Sequence, residues 1–151
     1  MTEQLIALLR AHNATFRVVE HEPTTTSEES ARVRGTPLEQ GAKAMLFRAD
    51  GTPLLLVLPA NRRVDTRAYK RAQGIKNLQL FSPEELRDLT GLEVGAVPPF
   101  GRLIGVPTHA DEHLLHLPEI AFNAGSRRVS VIMSTADYVR IEQPTQESFA
   151  A

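Results

Sequence analysis

The 151-residue chain contains no cysteine. Disulfides, thiolate nucleophiles and cysteine metal sites are thereby excluded, and the absence fits a reducing compartment. An excess of charge is missing too: 17 Lys and Arg against 18 Asp and Glu give a formal net charge of −1. There is no global basic field, so contact with a polyanion has to come from a local patch. No run approaches the roughly 18 apolar residues of a membrane span. The N-terminal MTEQLIALLRAHNA has an apolar stretch too short, and too interrupted by Arg10 and His12, for a signal peptide. No G-x-S-x-G elbow, internal repeat or domain linker occurs. What is present is an ordinary globular composition, 42% hydrophobic and 23% charged. The expectation is one domain over residues 1–151, in the cytoplasm, with a core of its own and no membrane contact.

Local signals lay out the elements. Leu5, Leu8 and Leu9 share a helical face that Asn13 is placed to end, and TFRVVEH alternates as a strand. Thr26 with Glu29 forms a capping-box pattern, which predicts a helix from Ser27 to Arg34 stopped by Gly35. AKAMLFRADGTPLLLVLPA is two apolar runs flanking Asp50-Gly51, a hairpin signal in which Pro53 implies a slightly longer loop. Asp65 caps a helix over Thr66 to Gln73, and Gly74 ends it. NLQLF is a short strand candidate. SPEELRDLTG has Ser82 at the cap, Pro83 at the first position, Glu85 completing the box and Gly91 terminating. RLIGVP, PEIAFNAG and RRVSVIMS read as strands, Ser134 or Thr135 caps a last helix TADYVRI, and QPTQESFAA reads as a frayed tail. Irregular interleaving with adjoining hairpins points to α+β with a mixed sheet.

Five features could carry chemistry. Lys43 sits in the apolar strand AKAMLFR. It is either an edge lysine whose ammonium reaches water or a cation held rigidly toward a phosphate or a developing oxyanion. GLEVGAVPPFG puts Gly91, Gly95 and Gly101 around Pro98 and Pro99. Such a segment is a plain turn, or a stiff loop whose free N–H groups meet a ligand. FNAGS, with Asn123, Gly125 and Ser126, is a hairpin turn or a pair of ligand-orienting side chains. His109, Glu112 and His113 match H-x-x-E-H, which zinc would need on one helical face; the alternative is a solvated turn. NRRVDTRAYKRAQGIK concentrates Arg62, Arg63, Arg67, Lys70 and Arg71 against Asp65 alone. It is a solvated helix face or a track for consecutive phosphates.

Together the strand lysine in GAKAMLFR, the loop GLEVGAVPPFG, the segment FNAGSRRVSVIMSTADYVRI and the upstream HEPTTTSEESARVRG resemble the YbaK/ProX family of aminoacyl-tRNA deacylases. This family also occurs as an editing insertion in bacterial prolyl-tRNA synthetases. The resemblance spans Thr15 to Ile141. It implies a mixed, partly barrel-like β-sheet flanked by helices. The implied activity is hydrolysis of the ester joining a wrong amino acid to the tRNA 3′-terminal ribose, the substrate being tRNA for proline carrying Ala, Cys or Ser. By motif match, Lys43 is the family lysine near the terminal nucleotide, Gly95 and Gly101 border the aminoacyl pocket, and Gly125 lies in the turn opposite.

Under that resemblance Lys43 and Gly101 are the catalytic candidates. Gly95, Pro99, Phe100, Asn123, Gly125 and Ser126 are the substrate-binding ones, and Arg62, Arg63, Arg67, Lys70 and Arg71 grip tRNA. Met45, Phe47, Phe100 and Phe122 are candidate walls of a small pocket. Asn123 departs from the family pattern. The neighbouring ribose hydroxyl of the substrate assists hydrolysis, no cofactor or metal is expected, and prolyl-tRNA synthetase is a candidate partner. Two other readings stay open: an inactive tRNA- or synthetase-binding module, and a zinc hydrolase using His109, Glu112 and His113.

Overall fold

A computed structural model describes all 151 residues. Its centre is the hairpin around Asp50-Gly51: β2, Ala42–Ala49, pairs antiparallel with β3, Thr52–Pro59, from Ala42↔Pro59 to Ala49↔Thr52. Asp50 at φ 46° and Gly51 at φ 86° both lie in the left-handed region, the two-residue turn whose twist matches its strands. The longer loop expected from Pro53 does not form. Pro53 pairs in register with Arg48 and precedes Leu55, the first β3 residue paired on the other side, so its missing N–H costs no bond to β5 (Thr108–Asp111).

The run Leu54 to Leu58 is buried on both faces. Leu55 and Val57 enter the larger core of 20 residues, while Leu54, Leu56 and Leu58 enter a second core with Phe47, Tyr69 and Phe149. Strand periodicity of two thus serves two cores from one apolar run.

The five-stranded sheet has the order β4-β2-β3-β5-β8, with β4 at Leu78–Leu80 and β8 at Thr145–Glu147; β5 runs parallel to both β3 and β8. The three-stranded sheet is antiparallel: β1, Phe16–Glu20, then β7, Val129–Ser134, then β6, Glu119–Ser126. A single parallel bridge, Gly41↔Ala121, joins the two sheets. The architecture is the expected α+β with mixed pairing; its barrel character is confined to that junction and no closed barrel forms.

Six short helices pack around the sheets: α1 Thr2–Ala11, α2 Ser27–Arg34, α3 Thr66–Gln73, α4 Pro83–Thr90, α5 Glu112–Leu115 and α6 Thr135–Glu142. The expected caps form. Ser82 and Glu85 make both bonds of the capping box, Asp65 and Ser134 cap α3 and α6, and Gly35, Gly74 and Gly91 close their helices at positive φ. At α2, Thr26 accepts from Glu29 N, but the Glu29 carboxylate reaches back to Thr25 N. No helix is long and apolar enough to cross a membrane.

Three expectations fail on tertiary grounds. RLIGVP is not a strand: Gly101–Leu103 is one 3-10 turn, the Gly101 carbonyl accepts from Ile104 and Val106 N–H, and β5 starts only at Thr108. FNAGS is not the turn but the end of β6, bulged between Asn123 and Ser126. The C-terminus is not frayed. β8 pairs with β5, Phe149 is buried against Tyr69, and the backbones of Arg63 and Ala151 exchange two hydrogen bonds.

Candidate functional site: a cationic cleft where the sheets meet

A cleft of about 240 Å³ opens beside the Gly41 bridge. Its floor is the start of β2, Gly41 to Met45, with Ala60 just beyond β3. One wall is the entry to α2, from Thr24 to Ser30, with Arg34 at the far end of that helix; the other is Val94, Gly95 and Val97 of the glycine-proline loop, with Asn123 and Arg127. It is smaller than the roughly 300–1,000 Å³ of pockets that hold drug-sized ligands.

Three cations face this cleft, Arg34, Lys43 and Arg127, and no Asp, Glu or His lines it. Lys43 is half-buried and enters no ion pair. Desolvation lowers its pKa, the nearby charge of Arg63 lowers it further, and Glu28 partly opposes both. Burial likewise brings Arg34 down to about 10, which leaves the guanidinium cationic at neutral pH. An anion or a developing oxyanion entering here meets positive potential in a partly desolvated wall, where charge interactions are stronger than in water.

Arg34 is held by the three-stranded sheet. Its Nε donates to Ser130 Oγ at 2.8 Å and its Nη2 to Asn123 Oδ1 at 2.9 Å. Ser130 is fully buried and lies 2.8 Å from His21 Nε2. His21 Nδ1 donates to the Glu22 carbonyl at 2.8 Å, so in the neutral ring Nε2 accepts the Ser130 hydroxyl proton. Sequence reasoning does not single out Arg34, His21 or Ser130 as site residues. The only signal available there is a basic residue in a last helical turn, which usually means a solvated helix end.

The glycine-proline loop is pinned to β6 and the turn after it through three successive carbonyls. Arg127 donates to Val94 O, Asn123 Nδ2 donates to Gly95 O at 2.7 Å, and Gly125 N donates to Ala96 O at 2.8 Å. The loop is thus tied down through its carbonyls rather than through the free N–H groups expected of it. Gly95 has φ 85°, a conformation that favours glycine.

The predicted residues divide sharply. Lys43, Gly95, Asn123 and Met45 line the cleft. Gly101, Pro99 and Phe100 do not. Phe100 is fully buried edge-to-face with Phe122 and Tyr138, and Pro99 O accepts from Tyr138 Oη at 2.8 Å. Gly101 N donates to Thr108 Oγ1 at 2.8 Å, and that hydroxyl donates to Glu142 Oε2 at 2.6 Å. The Gly101 N–H is therefore spent inside the protein, and an added Cβ would collide with Val106 O and Thr108 Oγ1. Gly125 supports the loop from β6, and Ser126 Oγ accepts from Arg128 N inside the hairpin turn. Phe47 and Phe122 belong to the two cores.

Arg63, Arg67 and Arg71 are exposed, Arg62 and Lys70 are half-buried, and none enters an ion pair. Arg63 influences Lys43 electrostatically, which puts the start of the basic run beside the cleft. The helical face required by the zinc reading does not form: His109 lies on β5, while Glu112 and His113 lie in the single turn of α5. His109 Nδ1 contacts Glu147 Oε1 at 2.6 Å and His113 Nδ1 contacts Asp111 Oδ2 at 2.8 Å, so a different carboxylate holds each ring.

Comparison with known proteins gives a consistent pattern. The family model of the aminoacyl-tRNA editing domain matches residues 21–141. The multifunctional Ser/Thr-tRNA deacylase ProXp-y of Escherichia coli K12 is 41% identical over 152 residues, covering 97% of this chain and 91% of its own. The prolyl-tRNA editing protein ProX of Acetoanaerobium sticklandii is 24% identical, covering 99% and 94%. A crystal structure of a candidate trans-editing enzyme for prolyl-tRNA synthetase superposes with TM-score 0.86 at 26% identity, covering 99% of this chain and 96% of that one.

Proposed function

The chain belongs to the aminoacyl-tRNA editing-domain family, and from that premise we propose that it is a trans-acting hydrolase that cleaves the ester between a misplaced amino acid and the 3′-terminal ribose of tRNA. The observation that carries this reading is the cleft lined by Arg34, Lys43 and Arg127, with no carboxylate or imidazole. Such a site suits an ester that is already activated. It can stabilise the tetrahedral oxyanion, but it offers no side-chain base.

In the proposed reaction water attacks the carbonyl carbon, the carbon–oxygen bond to ribose breaks, and the ribose oxygen leaves with a proton. From the β2 strand, Lys43 offsets the negative charge developing on the carbonyl oxygen. The pinned loop holds the aminoacyl group through Gly95 and Val97. The vicinal ribose hydroxyl of the substrate relays the proton, taking one from the attacking water as it hands its own to the leaving ribose oxygen, and so supplies what the protein wall lacks. Arg62, Arg63, Arg67, Lys70 and Arg71 meet the acceptor-stem phosphates.

Serine and threonine are the first candidates for the amino acid removed, because the Escherichia coli relative is named for them. Alanine or cysteine on tRNA for proline is the second reading, favoured by the relative named as a prolyl-tRNA editing protein. Deacylation of seryl-, threonyl-, alanyl-, cysteinyl- and prolyl-tRNA at equal concentration tests both readings. Hydrolysis of a misacylated member with prolyl-tRNA for proline spared is expected; no hydrolysis of any of them would favour a tRNA- or synthetase-binding module.

A further inference from the structure

Arg34 stands out among the charged groups of the molecule. It is largely buried, yet no carboxylate pairs with it. A desolvated cation without a counter-charge is costly, and such groups persist where hydrogen bonds and function retain them. Its Nε and Nη2 are committed to Ser130 and Asn123. Its Nη1 makes no hydrogen bond within the protein and lies beside Gly41, on the floor of the cleft. The guanidinium is thus fixed on one edge by Ser130 and Asn123, with Nη1 left free beside a glycine of the cleft floor.

We propose that Arg34 is the specificity-determining residue of the cleft, donating from Nη1 to the side-chain hydroxyl of the bound aminoacyl group and so selecting serine and threonine over alanine. This rests on the deacylase reading and deepens it.

Three features favour the side-chain hydroxyl as the group it meets. Lys43, on the adjoining strand, already provides a cation for the ester oxygen. The α-ammonium of the substrate is repelled by Arg34 and finds no carboxylate on the wall, so it faces the mouth of the cleft and the side chain points inward. Finally, a methyl group placed against Nη1 would desolvate an N–H without replacing its water. A site built around a hydrogen bond rejects the analogue lacking it more strongly than an apolar pocket rejects a missing methylene. Asn123, which departs from the family pattern, then acts as a positioning residue: its Oδ1 holds Nη2 and its Nδ2 holds the loop.

The test compares kcat/KM for seryl- and alanyl-tRNA on one tRNA transcript, in wild type and Arg34→Met, with folding monitored by thermal melting. Wild type is expected to prefer seryl-tRNA by about tenfold or more, and the preference to collapse by a similar factor in Arg34→Met. If Arg34→Met does not fold, Arg34→Lys, which keeps the charge but not the fork, is expected to show the same collapse. A wild-type ratio near one, or an equal loss on both substrates in the folded variant, would overturn the assignment and leave deacylation intact. Hydrolysis of neither substrate by wild type would instead remove the deacylase reading itself, and the assignment with it.

Discussion

The Asn123 side-chain amide donates to the Gly95 carbonyl across 2.7 Å, so a residue of the three-stranded sheet fixes the rim of a cleft floored by the five-stranded one. Arg127 extends the same clamp to Val94 O. These partners constrain the loop alongside Pro98 and Pro99.

Arg127→Met should release Val94 without disturbing either core. Hydrogen exchange over residues 92–97 is expected to accelerate, and deacylation to fall about tenfold, the effect of removing the charged Nε and Nη2 donors from one carbonyl. Melting temperature should change by no more than a few degrees. Faster exchange with undiminished turnover would mean that loop rigidity does not serve the reaction.

Gly101 makes the opposite prediction. A Cβ there meets the Val106 backbone and Thr108 Oγ1, and backbone cannot step aside cheaply. Gly101→Ala is expected to lose about 2 kcal/mol or more of unfolding free energy in urea. The folded fraction should retain turnover, because this N–H is spent on Thr108. Loss of turnover at unchanged stability would restore Gly101 to the reacting centre.

Asp111 organises the C-terminus. Its fully buried carboxylate accepts from the N–H groups of Phe149 and Ala150, at 2.8 and 2.9 Å, and from His113. Burial alone would raise its pKa, but these hydrogen bonds outweigh it and hold the group below the ordinary aspartate value. A lowered folded pKa contributes stability that is fully present above the unfolded value of about 4 and is lost as pH falls through the folded one. Asp111→Asn keeps an acceptor for one side but turns a donor toward the other. It is expected to cost about 3 kcal/mol at pH 7, the gap from wild type narrowing below about pH 4. A gap independent of pH across that range would show that the carboxylate charge is not what anchors the tail.

The basic run is testable through salt. Arg63→Glu with Arg67→Glu should weaken tRNA binding and flatten the plot of log affinity against log salt by roughly two, one for each phosphate no longer neutralised. Binding unchanged in strength and slope would return these arginines to an ordinary solvated face.

What the sequence discloses is what local chemistry decides. Asp50-Gly51 announces the central hairpin because only a few residue types accept two consecutive left-handed conformations. Ser82 with Glu85 announces α4 because both capping bonds lie within four residues. Lys43 can be placed on a strand, and the loop after Gly91 can be recognised as stiff. Which loop residues face the cleft and which face the core cannot be read: Gly95 and Phe100 differ by their packing against β6 and α6, far away in the chain. Arg34 is hidden for the same reason. In sequence it resembles Arg32, another arginine in the last turn of α2 and exposed, and only Ser130 and Asn123 distinguish it. The C-terminus reads as polar and loose because its anchor, Asp111, lies 38 residues upstream of Phe149.

The most direct measurement is single-turnover deacylation of seryl-tRNA by wild type and Lys43→Ala, with tRNA affinity measured in parallel. If a half-buried ammonium on β2 stabilises the oxyanion, the rate should fall by about 100-fold or more, while affinity, which the proposal assigns to the basic run, should change far less. A Lys43→Ala protein that hydrolyses seryl-tRNA at the wild-type rate would contradict a catalytic cleft built around this lysine.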